Sequence, residues 1–169
     1  MSHPVPPITV SQLDTPQIDP RGPRFAAILT TILLAVVLLT QSPWLLAVQA
    51  VLFAIGAFAG VQRTPYAALF RRFVRPRLAP PAELEDARPP RFAQSVGLGF
   101  AAVGVLGAVL GSTPVFLVAT AFAFGAAFLN GAFGYCLGCE VYLILRRLLP
   151  ATDTSPARSV LTNSEEIPA

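Results

Sequence analysis

Residues 25–40 of the chain read FAAILTTILLAVVLLT, a run of apolar and hydroxyl side chains without a single charge. Three similar stretches follow, at residues 43–61, 92–110 and 114–135, and none of the four contains Asp, Glu, Lys, Arg or His. A helix needs about 17 to 25 residues to cross a hydrocarbon core of about 30 Å, a length that the first stretch reaches with its uncharged flanks. Because a helix satisfies its own backbone hydrogen bonds in lipid, these stretches predict an all-α protein with four transmembrane helices.

A cleaved signal peptide is the alternative interpretation of the first stretch. However, the 24 residues before it are rich in Pro and polar side chains, and no small-residue cleavage site follows it. We therefore expect this stretch to remain in the chain as the first helix.

The composition also indicates a membrane protein. Of the 169 residues, 54% are hydrophobic and only 12% are charged, whereas soluble domains carry about 25% charged residues. This excludes a soluble globular domain, a disordered chain and a coiled coil. All twelve basic residues are Arg, against nine acids, so the net charge is +3. Since these Arg residues flank the apolar stretches, we expect the lipid bilayer as their partner and no binding of nucleic acid.

The distribution of Arg predicts how the helices are oriented. The connections at 41–42 and 111–113 contain no charge, so the helices form two hairpins, whereas every Arg lies at the opposite ends of the helices. Loops rich in Arg stay on the cytoplasmic side of a membrane. We therefore expect a multi-pass protein of the cell inner (plasma) membrane with both termini in the cytoplasm.

An internal repeat relates the two hairpins. The sequence RGPRFA at 21–26 recurs as RPPRFA at 88–93, 67 positions later. GAF at 56–58 recurs at 131–133, and the Arg pair 71–72 recurs at 146–147, both 75 positions later. Two copies in one orientation predict parallel repeats related by an axis along the membrane normal. The alternative is that apolar hairpins with basic flanks resemble each other by composition alone.

A short amphipathic helix is expected after each hairpin. In the cytoplasmic loop 62–91, large apolar side chains recur at helical spacing over 65–75, and Arg occupies the opposite face. Such a helix lies at the membrane surface, where each Arg contributes about 1 kcal/mol of attraction to anionic lipid. The residues proposed to bind lipid or a partner are Arg71, Arg72, Arg75, Arg146 and Arg147. A collar that only sets the orientation is the alternative.

The remaining segments are the two ends and a face of small residues. Segments 1–20 and 151–169 are rich in Pro, Ser and Thr, which predicts disordered cytoplasmic tails around a membrane domain at 21–150. In the third helix, Gly97, Gly104 and Gly111 are spaced seven apart. Because small side chains let helices in lipid approach closely, we interpret this face as a packing surface.

The strongest local motif is GYCLGCE at 134–140, which contains both cysteines of the chain, Cys136 and Cys139. We expect its glycines to break the fourth helix before a new helix starts near Glu140 and runs to Leu149. At a helix start, backbone N–H groups favour a thiolate. This predicts Cys136 as the attacking thiol and Cys139 as the resolving thiol, with Glu140 or Tyr135 transferring protons.

Three interpretations of the cysteine pair remain open. A redox-active dithiol/disulfide facing the cytoplasm fits the spacing. Soft-metal or persulfide binding also fits, although a closed metal site needs further ligands, which a homo-oligomer would supply as a second pair of thiolates. The third interpretation is purely structural, with both cysteines packing as small apolar side chains at a helix break. No bound cofactor is expected in any of the three.

These motifs resemble those of a bacterial, largely actinobacterial, integral membrane family known as domain of unknown function 4395. The resemblance rests on DPRGPRF at 19–25, RPRL at 75–78, ELED at 83–86, PRFAQ at 90–94 and above all NGAFGYCLGC at 130–139. It implies four membrane helices and no established activity. Genes of the family often lie near those of thioredoxin-like proteins and sulfurtransferases, so the resemblance also implies thiol or sulfur chemistry with such a soluble partner.

The sequence therefore predicts an integral membrane protein that handles thiols or sulfur through its C-x-x-C motif. The alternative is a non-enzymatic membrane scaffold or small carrier in which the cysteines are structural or bind a soft metal. The residues leave open whether the protein is an enzyme.

Overall fold

The structure, a computed structural model, describes residues 16–81 and 83–148. These residues form six helices and a pair of two-residue strands. The strands are β1 (Gln17–Ile18) and β2 (Glu85–Asp86). The helices are α1 (Arg21–Thr40), α2 (Pro43–Ala54), α3 (Pro65–Leu69), α4 (Arg88–Val109), α5 (Thr113–Phe133) and α6 (Leu137–Leu148). A π-helical turn over Ile55–Ala59 continues α2, whereas a π-helical turn over Phe70–Val74 and a 3₁₀ turn over Arg75–Arg77 continue α3.

Three of these helices are long and apolar enough to cross a membrane. They are α1, α4 and α5, with 20, 22 and 21 residues, whereas the apolar helix Pro43–Ala59 is shorter. Large apolar side chains are exposed on all three; Leu39, Val109 and Phe133, for example, are 85%, 76% and 71% exposed. Contiguous exposed apolar surface of this kind is unfavourable in water and is typical of contact with lipid. The fold is therefore consistent with a membrane protein.

The first and third apolar helices begin four residues before the apolar stretches themselves, at Arg21 and Arg88. Proline occupies their first turns, at Pro23 in α1 and at residues 89 and 90 in α4. The first N–H groups of a helix have no acceptor within the helix, so proline is tolerated there. The basic motifs that precede the apolar stretches are therefore part of the helices.

Helix α4 lies at the centre of the bundle, where it packs against α2, α5 and α6, while α1 packs mainly against α5. The buried core is made by apolar side chains from α1, α2, α4 and α5: Leu34, Val37, Leu46, Phe53, Ala101, Phe116 and Ala123. Small residues on α4 permit this packing. A Cβ atom on Gly97 would lie 2.8 Å from the Phe53 ring, and one on Gly104 would lie 2.7 Å from Leu46.

The third glycine of the packing face has a different role. Gly111 follows the end of α4 with a φ of +74°, and a Cβ atom there would meet nothing within 4 Å. This positive φ is a conformation that glycine adopts without strain. Gly111 therefore serves the turn between α4 and α5 rather than the contact between helices.

Part of the predicted N-terminal tail belongs to the fold. Residues 1–15 and 149–169 lie outside the described residues. Of the two predicted tails, the structure therefore describes only residues 16–20. In that segment, Ile18 is buried and β1 pairs antiparallel with β2, placing Gln17 opposite Asp86 and Ile18 opposite Glu85. The prediction of a disordered tail up to residue 20 was therefore wrong for these residues, because a short strand pair tethers them to the chain that leads into α4.

Two arginines at helix starts contact the ends of other helices. The Arg24 guanidinium, at the start of α1, donates to the carbonyl oxygens of Gly131 and Ala132 at 3.3 and 3.2 Å. The Arg91 guanidinium, at the start of α4, donates to the carbonyl oxygens of Ala57 and Phe58 at 2.7 and 3.0 Å. Carbonyls at a helix C-terminus lack partners within the helix, so Arg24 closes the end of α5 and Arg91 closes the π-helical turn after α2.

The loop 62–91 carries the expected helical segment at its start. The Thr64 hydroxyl accepts a hydrogen bond from the Ala67 N–H at 3.2 Å, which caps α3. From α3, the Tyr66 hydroxyl donates to Oε1 of the fully buried Gln49 at 3.0 Å. Burial raises the pKa of Tyr66 above its ordinary value of 10.0, opposed by a hydrogen bond with Thr30. The hydroxyl therefore stays protonated near neutral pH and holds α3 against α2.

Candidate functional site

The site begins where α5 ends. Gly134 has a φ of +71°, a left-handed conformation that ends the helix. Its N–H donates to the Asn130 carbonyl at 2.9 Å, and the Tyr135 N–H donates to the Leu129 carbonyl at 3.3 Å. These bonds satisfy carbonyls of the last turn and redirect the chain. The next residue, Cys136, therefore stands immediately before the first turn of α6.

The two cysteines form a disulfide bond, with Cα atoms 5.2 Å apart. Sγ of Cys136 also accepts a hydrogen bond from the Cys139 N–H at 3.3 Å, and the Cys136 carbonyl accepts one from the Glu140 N–H at 3.1 Å. Sγ of Cys136 thus occupies the place of a helix-capping atom, facing N–H groups that have no acceptor within α6. Both cysteines are half-buried.

Helix α6 begins at Leu137, earlier than the expected start near Glu140, and its described part ends at Leu148. The expectation that Gly138 breaks the helix was wrong, because Gly138 lies inside its first turn. A Cβ atom on Gly138 would lie 2.6 Å from Cβ of Ala93 in α4. Gly138 is therefore the point of closest approach between α6 and α4.

A cavity of about 800 Å³ lies beside the disulfide. Residues of α1, α2, α4, α5 and α6 line it, together with segments that precede α1 and α4. All seven residues of the GYCLGCE motif contribute to its wall. Tyr135 and Glu140, the two predicted proton carriers, both line the cavity and are exposed. The structure thus brings all four predicted catalytic residues, including Cys136 and Cys139, to one cavity wall.

The predicted lipid-binding or partner-binding arginines lie in two separate places. Arg71 and Arg75 line a smaller cavity of about 350 Å³ between α3 and the chain before α1. Arg71 also donates to the Gln62 carbonyl at 2.7 Å, and the Arg72 guanidinium lies 5.9 Å from the centre of the Phe73 ring. The remaining pair, Arg146 and Arg147, lies in the last turn of α6 and is exposed.

Several residues of the larger cavity were not predicted as site residues. Side chains of Thr30, Gln94 and Asn130 line it, and Arg24 reaches it from the start of α1. The sequence holds a usable sign of this surface in α5, where lining residues recur at 122, 123, 126, 127 and 130 with helical spacing. The sequence of α5 alone does not show which helix faces this stripe, because that depends on the packing of α1 and α4.

Within residues 16–81 and 83–148, no group of three or more His, Cys, Asp or Glu side chains lies close enough to hold a metal ion. A soft-metal site on the cysteine pair of one chain would therefore have two protein ligands from this part of the molecule, fewer than a closed zinc site uses.

In comparisons with curated proteins and with solved structures, the chain shows no significant match. Residues 18–147 match the model of a family described as a domain of unknown function (DUF4395). The match runs from β1 into α6 and includes the strand pair, both arginine contacts and the cysteine pair. Because it covers well over half of the 169 residues, the chain belongs to the DUF4395 family.

Proposed function

We propose that the protein is a membrane-bound thiol–disulfide exchange protein, in which Cys136 and Cys139 cycle between disulfide and dithiol with a soluble thiol partner. The observation that carries this proposal is the position of the disulfide, half-buried at the start of α6, with Sγ of Cys136 accepting the Cys139 N–H. A backbone N–H aimed at sulfur stabilises the thiolate formed when the disulfide opens. Cysteines that only pack as small apolar side chains do not need a backbone N–H directed at sulfur.

The exchange proceeds through a mixed disulfide. A thiolate of the partner attacks Sγ of Cys136, the bond between the two sulfurs breaks, and Cys139 leaves as a thiolate that takes up a proton. The second thiolate of the partner then attacks the partner's sulfur in the mixed disulfide, and Cys136 leaves as a thiolate. The partner ends as a disulfide and the membrane protein as a dithiol. Glu140 and Tyr135, on the same cavity wall, are the groups proposed to supply and remove the protons.

The soluble partner is proposed to be a thioredoxin-like protein or a sulfurtransferase. With the first, two electrons pass between dithiols. With the second, the Cys136 thiolate would accept a sulfane sulfur and carry it as a persulfide. Both reactions need a thiol that an outside sulfur can reach, and Cys136 is half-buried rather than enclosed.

A Cys139→Ser variant tests this proposal. In the reverse direction of the exchange, Cys136 attacks the disulfide of an oxidised partner and Cys139 releases the reduced partner. Without Cys139 this mixed disulfide persists, so we expect a covalent complex in membranes that is absent under reducing conditions. Cys136→Ser is the matched control and should trap little or nothing. Absence of any mixed disulfide or persulfide on Cys136 in Cys139→Ser membranes would contradict the proposal.

The proposed topology has four membrane spans and two parallel repeats. The apolar helix Pro43–Ala59 would be the fourth span, about 25 Å long at 1.5 Å per residue. The repeat is supported by the reciprocal contacts of Arg24 and Arg91. It is also supported by two further matched pairs: the Asp19 and Asp86 carboxylates accept from the N–H groups of Arg21 and Arg88, and the Phe25–Phe70 and Phe92–Tyr142 ring pairs are 5.8 and 5.7 Å apart.

In this topology the arginines and the cysteine pair share one side of the membrane. Helices α1 and α4 start there, and α5 ends there. The Arg distribution places that side in the cytoplasm of a plasma membrane. This orientation is the one in which a soluble cytoplasmic thiol protein reaches Cys136.

A second candidate function is a scaffold or carrier that binds anionic lipid or a partner protein through the Arg face. The cavity lined by Arg71 and Arg75 favours it, since guanidinium groups bind phosphate and carboxylate. Replacing Arg71, Arg72 and Arg75 together with Gln should then weaken co-sedimentation with anionic vesicles and spare that with neutral vesicles. Cysteine variants should sediment as the unmodified protein does. Unchanged sedimentation of the triple variant would exclude binding of anionic lipid by the Arg face.

A further inference from the structure

The cavity beside the disulfide is deeper than exchange with a soluble thiol requires. It runs from the cysteine pair between α4 and α5 to Phe100 and Phe122, whose rings stack at 5.8 Å. Phe100 lies seven residues further along α4 than Ala93, the residue that contacts Gly138. Seven helical residues correspond to about 10 Å. The lower end of the cavity is therefore beyond the reach of a soluble protein.

The walls of the cavity change from charged to apolar with depth. Arg24 and Glu140 line it near the disulfide, whereas towards Phe100 its lining residues carry no charge. The side chain of Asn130 also lines the cavity, as does Gln94, which follows Ala93 in α4 and packs against Gly56. An amide donates hydrogen bonds to carbonyl oxygens without contributing a charge. This order of groups fits an elongated, uncharged ligand with carbonyl oxygens near the disulfide and an apolar tail below.

Two residues of the cavity wall are also exposed on the surface of the bundle. Val96 and Phe122 line the cavity and expose 37% and 62% of their surfaces. Both residues belong to helices long and apolar enough to cross a membrane. Residues of one cavity wall therefore lie on helices that are suited to contact with lipid, whereas the cysteine pair lies at the end of those helices.

We propose that this cavity binds a lipid-soluble quinone, which oxidises the reduced Cys136–Cys139 pair. The inference rests on the proposed thiol–disulfide exchange and adds the second substrate of the same site. A phospholipid tail would also fill an apolar cavity, but it has no electron chemistry to offer a dithiol. A quinone is uncharged and planar, carries two carbonyl oxygens, and takes up two electrons. The cavity volume of about 800 Å³ lies within the usual range for small-molecule sites.

The reaction balances in electrons and protons. The two S–H bonds of Cys136 and Cys139 break, one S–S bond forms, and two electrons and two protons leave the dithiol. The quinone accepts both electrons and both protons, and its carbonyl oxygens become the hydroxyl groups of the quinol. Combined with thiol exchange, the net reaction converts a partner dithiol and a quinone into a partner disulfide and a quinol.

Reaction of the purified full chain with a quinone tests the proposal. The pre-reduced protein, in lipid nanodiscs, is mixed with a fully ring-substituted decyl-benzoquinone, whose ring has no free position for thiol addition. Quinol formation is followed by absorbance, and the disulfide by maleimide labelling and intact mass. We expect one quinone reduced for each disulfide formed, with no covalent adduct. A mass increase from an adduct, or disulfide formation without quinol, would overturn the proposal.

Filling the cavity tests the location of the reaction. Ala126 lines the cavity, whereas Ala121, on the same helix, is exposed and is not part of the lining. Ala126→Phe should slow quinone reduction by about tenfold or more, because the added ring takes up volume that the quinone needs. Ala121→Phe should react at the rate of the unmodified protein. Equal rates for the two variants would show that the reaction lies elsewhere.

A parallel measurement of exchange with dithiothreitol distinguishes failure of the quinone site from failure of the proposed thiol–disulfide exchange. If dithiothreitol reduces the disulfide and the quinone fails to re-oxidise it, the quinone site is wrong and thiol exchange stands. If neither reagent reacts with the pair in the folded protein, thiol exchange itself is wrong. Rapid dithiothreitol exchange in Ala126→Phe, together with slow quinone reduction, is the combined result that we expect.

Discussion

Two glycines in the cysteine motif act through different physical properties. Gly134 provides a positive φ of +71° that turns the chain out of α5, a conformation that costs other residues about 1 kcal/mol or more. Gly138 has helical geometry but lacks a Cβ atom where α6 crosses Ala93 of α4. The first glycine places Cys136 before a new helix, and the second brings that helix against the bundle.

Replacing Gly138 should therefore displace the disulfide. In Gly138→Ala, the added Cβ atom would overlap Ala93 at 2.6 Å, and relief of such overpacking costs about 1 to 3 kcal/mol. We expect a lower thermal unfolding temperature and faster reduction of the disulfide by dithiothreitol. Gly99→Ala is the matched control, because a Cβ atom on that α4 residue meets nothing within 4 Å. Identical behaviour of the two variants would contradict close packing of α6 on α4.

At the scale of elements, two arginines join helix starts to helix ends. The starts of α1 and α4 carry the donors, Arg24 and Arg91, and the ends of α5 and of the π-helical turn after α2 carry the carbonyl acceptors. The antiparallel pair β1 and β2 connects the two segments that lead into these helices. Because Arg24 joins α1 to the end of α5, it also fixes the position from which the cysteine motif starts.

The two arginines should have similar effects on stability but different effects on the site. Arg24→Met and Arg91→Met each remove two charge-assisted hydrogen bonds at the exposed ends of helices, and each should lower the free energy of unfolding by about 1 to 3 kcal/mol. Only Arg24→Met should also change the rate of Cys alkylation after reduction. Arg88→Met, at an exposed arginine of the same turn as Arg91, is the control. Equal changes in the alkylation rate in Arg24→Met and Arg91→Met would contradict the inference that only Arg24 affects the cysteine motif.

At the scale of the whole molecule, α2, α5 and α6 pack around α4, α1 packs against α5, and α3 packs against α1. Much of the helical content was predictable, because apolar length and the absence of charge in residues 25–40 and its three counterparts depend only on local sequence. The family and the short connections between consecutive apolar helices were predictable for the same reason.

Features that depend on contacts between distant segments were not predictable. Ile18 was placed in a disordered tail, since nothing in the sequence before α1 shows that Glu85 lies opposite it. Gly138 was read as a helix break, since a glycine within a first turn and a glycine that ends a helix have the same local neighbours. The cavity beside Cys136 escaped prediction because its walls come from five helices, each with an unremarkable apolar stripe.

The redox state of the cysteine pair in cell membranes tests the central claim most directly. The chain has no cysteines other than Cys136 and Cys139, so maleimide labelling of the tagged protein reports on this pair alone. We predict that labelling is low before treatment, rises when a membrane-permeant dithiol is added, and falls again after the dithiol is removed. A pair that is fully labelled under all of these conditions, or that never becomes labelled in the folded protein, would contradict a cycling disulfide.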